Sequence, residues 1–356
     1  MKRLVLAILC LFSTLGIYCQ NAFKDYHNIA LGNKDSIRKA NINIGISGDI
    51  NALKGIQFNL FSSVVRQNAK GWDGALFMSL DVKDIKGIQT AVVANVTGSK
   101  MTGLQLATVT NAAHKLKGLQ FSAMNNLCAT NFSGAQISAV TNISKGINHG
   151  CQASLFFNLC TTKSNGVQFS MYNYADSLDG LQIGFFNYAT SHKKGIQVGL
   201  INYTEDNSKR KFGLVNLTPS TNIQMMSYFG TSSKINIAAR FKNQNTYNII
   251  GFGTHYEGLN KDFSGTLFYR IGYWKKIHNK LDLSGDLGYY HIMSFEDETQ
   301  TNSKNYYSIQ THLNLDYIYK QYITFFTSLG YEYTRFYNKD ETYHKRFIFE
   351  AGIILF

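Results

Sequence analysis

The decapeptide LDGLQIGFFN, Leu178–Asn187, is one copy of a unit that recurs through much of the first two thirds of the chain. Its core is Gly, then a small or apolar residue, then Gln, and from Gly87 onward the copies are 14 to 16 residues apart. A short, fixed step predicts one small supersecondary unit stacked on copies of itself. The glycines of the copies are Gly55, Gly87, Gly103, Gly118, Gly134, Gly150, Gly166, Gly180 and Gly195.

The residues around each core have the pattern of a strand followed by a turn. Leu181, Ile183 and Phe185 alternate with polar or small residues, which is the period of a β-strand. An Asn follows seven or eight residues after each Gly from Gly87 onward, and the stretch beyond that Asn is rich in turn-forming residues. Each unit is therefore predicted to contain extended chain closed by a short turn.

Two architectures could use this unit. In a parallel β-solenoid, equal positions stack about 4.8 Å apart, so that Gln lies on Gln and Asn on Asn as amide ladders. In an up-and-down barrel, neighbouring strands are antiparallel and the Gln positions do not meet. Every unit has the same signature and a similar turn, which favours a solenoid of about 10 to 11 repeats of about 16 residues. The alternative is one large barrel of about 18 to 20 strands, with every repeat a membrane strand.

The N-terminus has the features of a secretory signal peptide. Lys2 and Arg3 precede an apolar stretch from Leu4 to Ile17, which is too short for an ordinary transmembrane helix. We predict a signal peptide over residues 1–20 and export from the cytoplasm.

The rest of the chain divides at its single proline, Pro219, a residue that interrupts sheet ladders. Residues 21–50 are predicted to be a lead-in or cap, residues 51–218 the repeat array, and residues 223–356 a second domain.

Residues 223–356 form longer strands whose side chains alternate between two faces. Tyr307, Ile309 and Leu313 alternate with polar residues, and such two-faced strands with aromatic ends are typical of transmembrane β-barrels. With an even strand count, the first strand begins and the last strand ends on the periplasmic side, so we expect the array to hang in the periplasm; a position on the cell surface is the alternative. The eight predicted antiparallel strands are 223–229, 234–242, 246–256, 263–274, 280–292, 305–319, 321–335 and 345–356.

The charged residues of these strands are predicted to face the barrel interior. An eight-stranded barrel has a narrow interior that side chains fill, so the charges are expected to form buried ion pairs. The acidic residues are Asp282, Asp286, Asp316, Glu332 and Glu350, and the basic residues are Arg240, Arg270 and Arg346.

Two parts of the chain resemble known protein families. The last strand ends on Phe356 and resembles the terminal strand of bacterial outer-membrane proteins, which implies recognition by the β-barrel assembly machinery. The units at 180–187 and 195–202 resemble those of surface-repeat outer-membrane proteins of Bacteroidetes and spirochaetes. That resemblance covers about residues 50–217 and implies an outer-membrane location, without catalytic residues.

The charge of the chain limits which binding partners are expected, and its cysteines bear on disulfide and metal sites. The formal net charge is +13, but the basic residues are scattered through turns of an exported chain, so lipopolysaccharide or outer-membrane lipid is expected and nucleic acid is not. Cys128, Cys151 and Cys160 are predicted to be small core residues, not a disulfide or a metal site.

No catalytic motif stands out, and no cofactor or metal is expected. We predict a non-enzymatic structural or partner-binding protein of the outer membrane; a porin-like channel and a barrel enzyme are the alternatives. The enzyme hypothesis would use His291, Glu296 and Asp297 near the outer rim.

The Gln and Asn columns have two interpretations, structural ladders or an exposed row of amides beside aromatic rings that binds a glycan, a peptide or an envelope protein. The candidate binding residues are Gln168, Tyr172, Gln182, Tyr188, Gln197 and Tyr203.

Overall fold

The computed structural model describes residues 39–192, 194–206, 210–257, 262–294, 305–337 and 342–355. The predicted signal peptide, Glu296, Asp297 and Phe356 lie outside these residues. No described residue belongs to a helix long and apolar enough to cross a membrane. The first eighteen strands are β1 Lys39–Ile50, β2 Ala52–Val65, β3 Ala69–Ala75, β4 Met78–Asp81, β5 Ile85–Ala91, β6 Ala94–Ala107, β7 Thr110–Ser122, β8 Asn125–Cys128, β9 Phe132–Ser138, β10 Thr141–Ser144, β11 Cys151–Ala153, β12 Phe157–Ser164, β13 Val167–Phe169, β14 Tyr172–Leu178, β15 Leu181–His192, β16 Ile196–Thr204, β17 Lys211–Phe212 and β18 Val215–Leu217.

The remaining eight strands follow Pro219. They are β19 Asn222–Gly230, β20 Ile235–Lys242, β21 Thr246–Glu257, β22 Asp262–His278, β23 Leu281–Ser294, β24 Asn305–Lys320, β25 Ile323–Phe336 and β26 Thr342–Leu355.

The architecture is a parallel β-solenoid of about 11 turns followed by a closed, eight-stranded antiparallel barrel. Identical residues of successive repeats stack, as where Gln182 lies opposite Gln197 and Asn187 opposite Asn202. The predicted fold class is confirmed. The alternative of one large barrel is wrong, because the repeat strands pair in parallel and do not continue the antiparallel sheet of the barrel. The described residues form two compact units, which are divided between Ala139 and Val140.

In the first unit, glycine is required where successive coils approach. Gly118 has φ +148°, and a Cβ atom there would lie 2.0 Å from the carbonyl oxygen of Gly103 in the preceding coil. An apolar column of buried side chains runs through the first unit. Its members include Leu53, Ala69, Ile85, Met101, Leu116 and Phe132.

The array begins earlier than residue 51. Strand β1, which falls in the predicted lead-in, pairs in parallel with β2 as a coil of the same stack. Asn43 occupies the column position of Gln57, so the sequence there lacks the Gly-x-Gln core. Asn43 therefore keeps an amide residue in the column, but this coil does not match the Gly-x-Gln pattern of the sequence.

In the second unit, strands β10–β18 form the last coils, and β19–β26 close into the barrel through the pairing of β19 with β26. The observed barrel strands agree with the eight predicted ones to within a few residues, apart from a four-residue extension of β22. Strand β19 begins, and strand β26 ends, at the same end of the barrel. That end also carries the turns Asn279–Lys280 and Gln321–Tyr322. We call this the turn end of the barrel.

Candidate functional site

The interior of the solenoid is lined by stacked side-chain amides. In the second unit each column Asn from Asn142 to Asn202 donates to the Asn of the next coil and to a backbone carbonyl of that coil; Asn173, for example, donates to Asn187 Oδ1 at 3.0 Å and to the Ile183 oxygen at 2.8 Å. The chain of Asn-to-Asn bonds runs at 2.8 to 3.1 Å through Asn142, Asn158, Asn173, Asn187, Asn202 and Asn216.

The Gln column forms a second ladder that runs in the opposite direction. Gln197 donates to Gln182 at 2.8 Å, and Gln182 donates to Gln168 at 2.9 Å. In the first unit Gln136 donates to Gln120 in the same sense, at 2.7 Å. All these amides are fully buried, and a buried polar group is stable only when it is hydrogen-bonded. The ladder interpretation of the two columns therefore fits the geometry.

The candidate binding residues do not form one surface. Gln168, Gln182 and Gln197 have no exposed surface, so they do not make the exposed row of amides that ligand binding required. Sequence alternation had indicated two different faces of each strand without indicating which one lies inside.

The candidate tyrosines lie on the outward side, in two different columns. Tyr188 stacks between Tyr174 and Tyr203 with ring centroids 5.3 and 5.2 Å apart, so both of its faces are covered. Tyr172 packs edge-to-face on Phe157 at 5.9 Å. The stacking stabilises neighbouring coils and leaves Tyr188 no ring face for a sugar.

Outward-facing positions beside the Gln column are apolar. The coils therefore place polar side chains inside and apolar side chains outside, the reverse of a soluble protein. Leu181 and Ile183 flank buried Gln182 and point away from the interior. In the first unit Phe58, Phe61 and Phe77 are 39%, 59% and 56% exposed. A soluble protein seldom exposes contiguous apolar side chains on this scale, and such a face marks an interaction site.

The Gln ladder is interrupted in the first unit by a buried acid pair. Asp73 occupies the Gln position and accepts hydrogen bonds from Ser63 and from Ser79, the latter at 2.6 Å. Among the described residues neither oxygen of buried Asp81 has a hydrogen-bond partner. Burial raises the pKa of Asp73 to about 6, and burial together with the charge of Asp73 raises the pKa of Asp81 well above its usual range.

Lys211 ends the Gln ladder in the last coil of the second unit. It lies opposite Gln197 in the register, but its Nζ donates to Thr204 Oγ1 at 3.0 Å and to the Leu217 oxygen at 2.9 Å. Within the described part of the chain, Gln197 Oε1 has no hydrogen-bond donor. Burial lowers the pKa of Lys211 to about 8.

The last coil is hydrogen-bonded to the outward side of the barrel wall. Asn216 continues the Asn ladder by donating to Asn248 Oδ1 at 3.0 Å, and Tyr269 Oη donates to the Gly213 oxygen at 2.7 Å. Asn248 lies opposite Phe241 and Ile271 in the strand register, which places it on the outward face. The last coil of the second unit therefore lies beside the barrel wall.

The barrel interior is filled by ion pairs, as predicted. Arg270 contacts Asp286 at 2.7 Å and Glu350 at 2.9 Å, and His312 contacts the same Asp286 at 2.9 Å. The other interior pairs are Arg240 with Asp316, Arg346 with Glu332, and Lys242 with Asp282.

The outward barrel surface is an apolar band between two sets of tyrosines. On β24 the outward residues Ile309, Leu313 and Leu315 lie between Tyr307 and Tyr317. These tyrosines are ten residues apart, which corresponds to about 34 Å along the strand. For strands tilted by about 40° from the barrel axis, this distance is about 26 Å along the axis.

His291, the residue of the enzyme hypothesis, points outward as well. Its Nδ1 lies 2.9 Å from Tyr337 Oη, within an aromatic cluster that includes Tyr289 and Tyr307. By strand alternation it faces away from the interior acids, and its predicted partners Glu296 and Asp297 lie outside the described residues. The hydrogen-bond partner of His291 among the described residues is Tyr337.

Among the described residues, Cys128, Cys151 and Cys160 are free thiols. Cys128 and Cys160 are buried, as expected of small core residues, whereas Cys151 is half-buried because it occupies the outward position of Val167. Within the described ranges, no cluster of three or more His, Cys, Asp or Glu residues could hold a metal ion.

No family model matches the chain, and no curated protein is similar to it. Among solved structures, the chain is similar to the N-terminal β-barrel domain of OprF from Pseudomonas aeruginosa, with 10% sequence identity and a TM-score of 0.28. That match covers 37% of this chain and 95% of the OprF domain.

Proposed function

We propose that the chain is an exported, non-enzymatic outer-membrane protein, in which the barrel anchors the solenoid as a structural or partner-binding element. The observation that carries this proposal is the inverted barrel, with buried ion pairs inside and an apolar band outside. The band is about 26 Å tall, close to the roughly 25 Å band of outer-membrane barrels. In water, the same exterior would be a large aggregation surface.

The proposed partners follow from these surfaces. Outer-membrane lipid, including lipopolysaccharide, would contact the apolar band, and the β-barrel assembly machinery would recognise strand β26. A glycan or envelope protein remains a proposed partner of the solenoid, on its outward face instead of on the buried glutamines. The membership of the surface-repeat family stays a prediction.

The ion pairing of the charged residues inside the barrel supports a non-enzymatic role. The interior acids pair with arginine, lysine or histidine, so ion pairing accounts for them without catalysis. The porin-like alternative required the repeats to be membrane strands, and their parallel pairing removes its basis. Nothing in the described residues favours a second function.

Protease protection on intact Gram-negative cells tests location and topology together. Cleavable tags would be inserted at Thr299–Gln300, at Ser191–His192 and, as a matched control, in the turn Gln321–Tyr322. We expect recovery in the outer-membrane fraction, cleavage of the first tag, and protection of the other two until the outer membrane is permeabilised. A soluble periplasmic protein, or cleavage at Gln321, would contradict the proposal.

A further inference from the structure

In the second unit, each coil bends between its column Gln and its column Asn, as at Phe185 between Gln182 and Asn187. The outward side chains at these bends form a strip of large apolar groups. Phe169, Phe185 and Phe212 are 56%, 50% and 55% exposed. We call this strip the apolar edge of the second unit, and it consists of Leu155, Phe156, Phe157, Phe169, Met171, Phe185, Phe186, Leu200, Phe212 and Leu214.

Four of the five coils at this edge carry no charge there, and the fifth has only Lys211, which is buried in the interior. The segments 150–158, 166–173, 180–187 and 195–202, each running from a repeat Gly to its Asn, contain no Asp, Glu, Lys or Arg. The charged residues of these coils, such as Lys145, follow the Asn or precede the next Gly. The coils are thus amphipathic across their section, with the bend apolar and the opposite turn charged.

The backbone at the apolar edge is hydrogen-bonded within the protein. The Met171 amide donates to the Leu155 oxygen, the Tyr172 amide to the Phe156 oxygen, and the Phe186 amide to the Met171 oxygen, each at 2.9 Å. Hydrocarbon tolerates only backbone whose polar groups are satisfied internally. Coil-to-coil bonding at the bend meets that condition.

The last coil lies at the height of the apolar band of the barrel. Tyr269, which holds the Gly213 oxygen, is near the middle of the 17-residue strand β22 and lies opposite Ile250 and Tyr289. Asn248 also points outward, yet it is 3% exposed because it is bonded to Asn216 and Tyr269. A coil attached there cannot avoid the lipid that surrounds the barrel.

The depth of the edge matches one leaflet. About four residues on each side of the bend are free of charge and have outward side chains that are mostly apolar, which corresponds to about 13 Å of extended chain. The hydrocarbon of one leaflet is about 15 Å thick. The edge is therefore deep enough to enter a leaflet and too shallow to span the bilayer.

We propose that the apolar edge of the second unit is inserted among the acyl chains of the leaflet at the turn end of the barrel, with the charged turns in the headgroup region. This inference rests on the proposed membrane location of the barrel. The coils of the second unit are then an amphipathic, membrane-lying element. The first unit also has outward apolar residues, including Phe61 and Phe77.

Fluorescence quenching by brominated phosphatidylcholine, with the full chain reconstituted in phosphatidylcholine–phosphatidylglycerol vesicles, tests the proposal. Trp72 would be replaced by Phe to remove an outward indole, whereas Trp274 is retained because it packs on Lys242 and bonds to the Asn243 oxygen. A single tryptophan would then be added at the edge (Phe185→Trp), on a charged turn (Lys145→Trp), or on the outward barrel face (Leu313→Trp). We expect strong quenching for the edge and barrel variants and little for the turn variant.

The outcomes separate the two proposals. If the barrel variant is quenched and the edge variant is quenched no more than the turn variant, insertion of the edge is wrong while the membrane barrel stands. If the barrel variant is not quenched either, the membrane location itself fails. An edge variant shielded from both lipid and aqueous quenchers, in particles that sediment as dimers, would assign the edge to a second copy and overturn the inference.

Discussion

The solenoid and the barrel both bury polar side chains and present apolar ones, but they use different polar chemistry. In the solenoid, identical neutral amides stack, as in the bond from Asn173 to Asn187 at 3.0 Å. In the barrel, opposite charges meet across the lumen, as where Arg270 lies between Asp286 and Glu350.

The sheet type explains the difference. Parallel in-register stacking places each residue on its own kind, so only a group that both donates and accepts can satisfy its neighbours. A column of identical charges would repel. An antiparallel barrel brings unlike residues together, so a charge finds its counterion. Asp73 and Lys211 are the two charges placed in the Gln column, and the ladder is interrupted at both.

The largest effect is expected from removing a barrel cation. Arg270→Met would leave Asp286 and Glu350 buried without their main counterion, and breaking a buried pair in this way costs about 3 to 5 kcal/mol. Urea unfolding in vesicles, followed by heat-modifiable gel mobility, measures the loss. Exposed Lys280→Met is the control and should change little. Equal stability of Arg270→Met and wild type would mean that the interior is hydrated.

A somewhat smaller effect is expected from interrupting the Asn ladder. Asn173→Leu conserves the approximate volume but leaves Asn187 Oδ1 and the Ile183 oxygen without their donor and removes one acceptor of the Asn158 amide, at a cost of about 2 to 4 kcal/mol. Hydrogen exchange of peptides from 158–187 in the intact protein should accelerate. Asp176→Asn, exposed on the same coil, is the matched control. Unchanged exchange in Asn173→Leu would show that the ladder contributes no stability.

The acid pair should make the first unit less stable as pH rises. The pKa of Asp73 is 3.8 in its ordinary state and about 6 when buried, so the folded state binds the extra proton. The stability that this proton contributes is present below pH 4 and is lost as pH rises through about 6, an effect of up to about 3 kcal/mol.

Asp73→Gln should remove the part of that pH dependence that comes from Asp73 and stabilise the unit at pH 8 by about 1 to 3 kcal/mol, because Gln can donate to Gln57 and accept from Gln89. Hydrogen exchange of residues 69–97 at pH 5.5 and 8, corrected for intrinsic rates, gives the comparison. Slower exchange of the wild type at pH 8 would contradict the predicted sign.

The smallest expected effect is a stabilisation at the other end of the ladder. Lys211→Gln would supply the N–H that Gln197 Oε1 lacks and remove a buried cation, a gain of about 1 kcal/mol. Lys211→Met removes the same cation without adding the donor, so the difference between the two variants isolates the hydrogen bond. If Met stabilises as much as Gln, extension of the ladder adds nothing.

The sequence determined the repeat, the parallel stacking and the barrel strands. Stacking followed from the fixed step of Gly-x-Gln and its constant Asn, because only in-register coils bring identical residues together. The ion pairs of Arg240, Arg270 and Arg346 followed from strand alternation in a narrow barrel. The coil at β1 was missed because Asn43 replaces the Gln of the motif.

The tertiary structure decided which face of each coil lies inside and where the last coil lies. Alternation of Leu181 and Gln182 indicates two faces equally well in either orientation. The amides lie inside because each one bonds both along its column and across the bend, which only the closed coil allows. The contact of Asn216 with Asn248 joins residues from different architectures, and no periodicity of either could predict it.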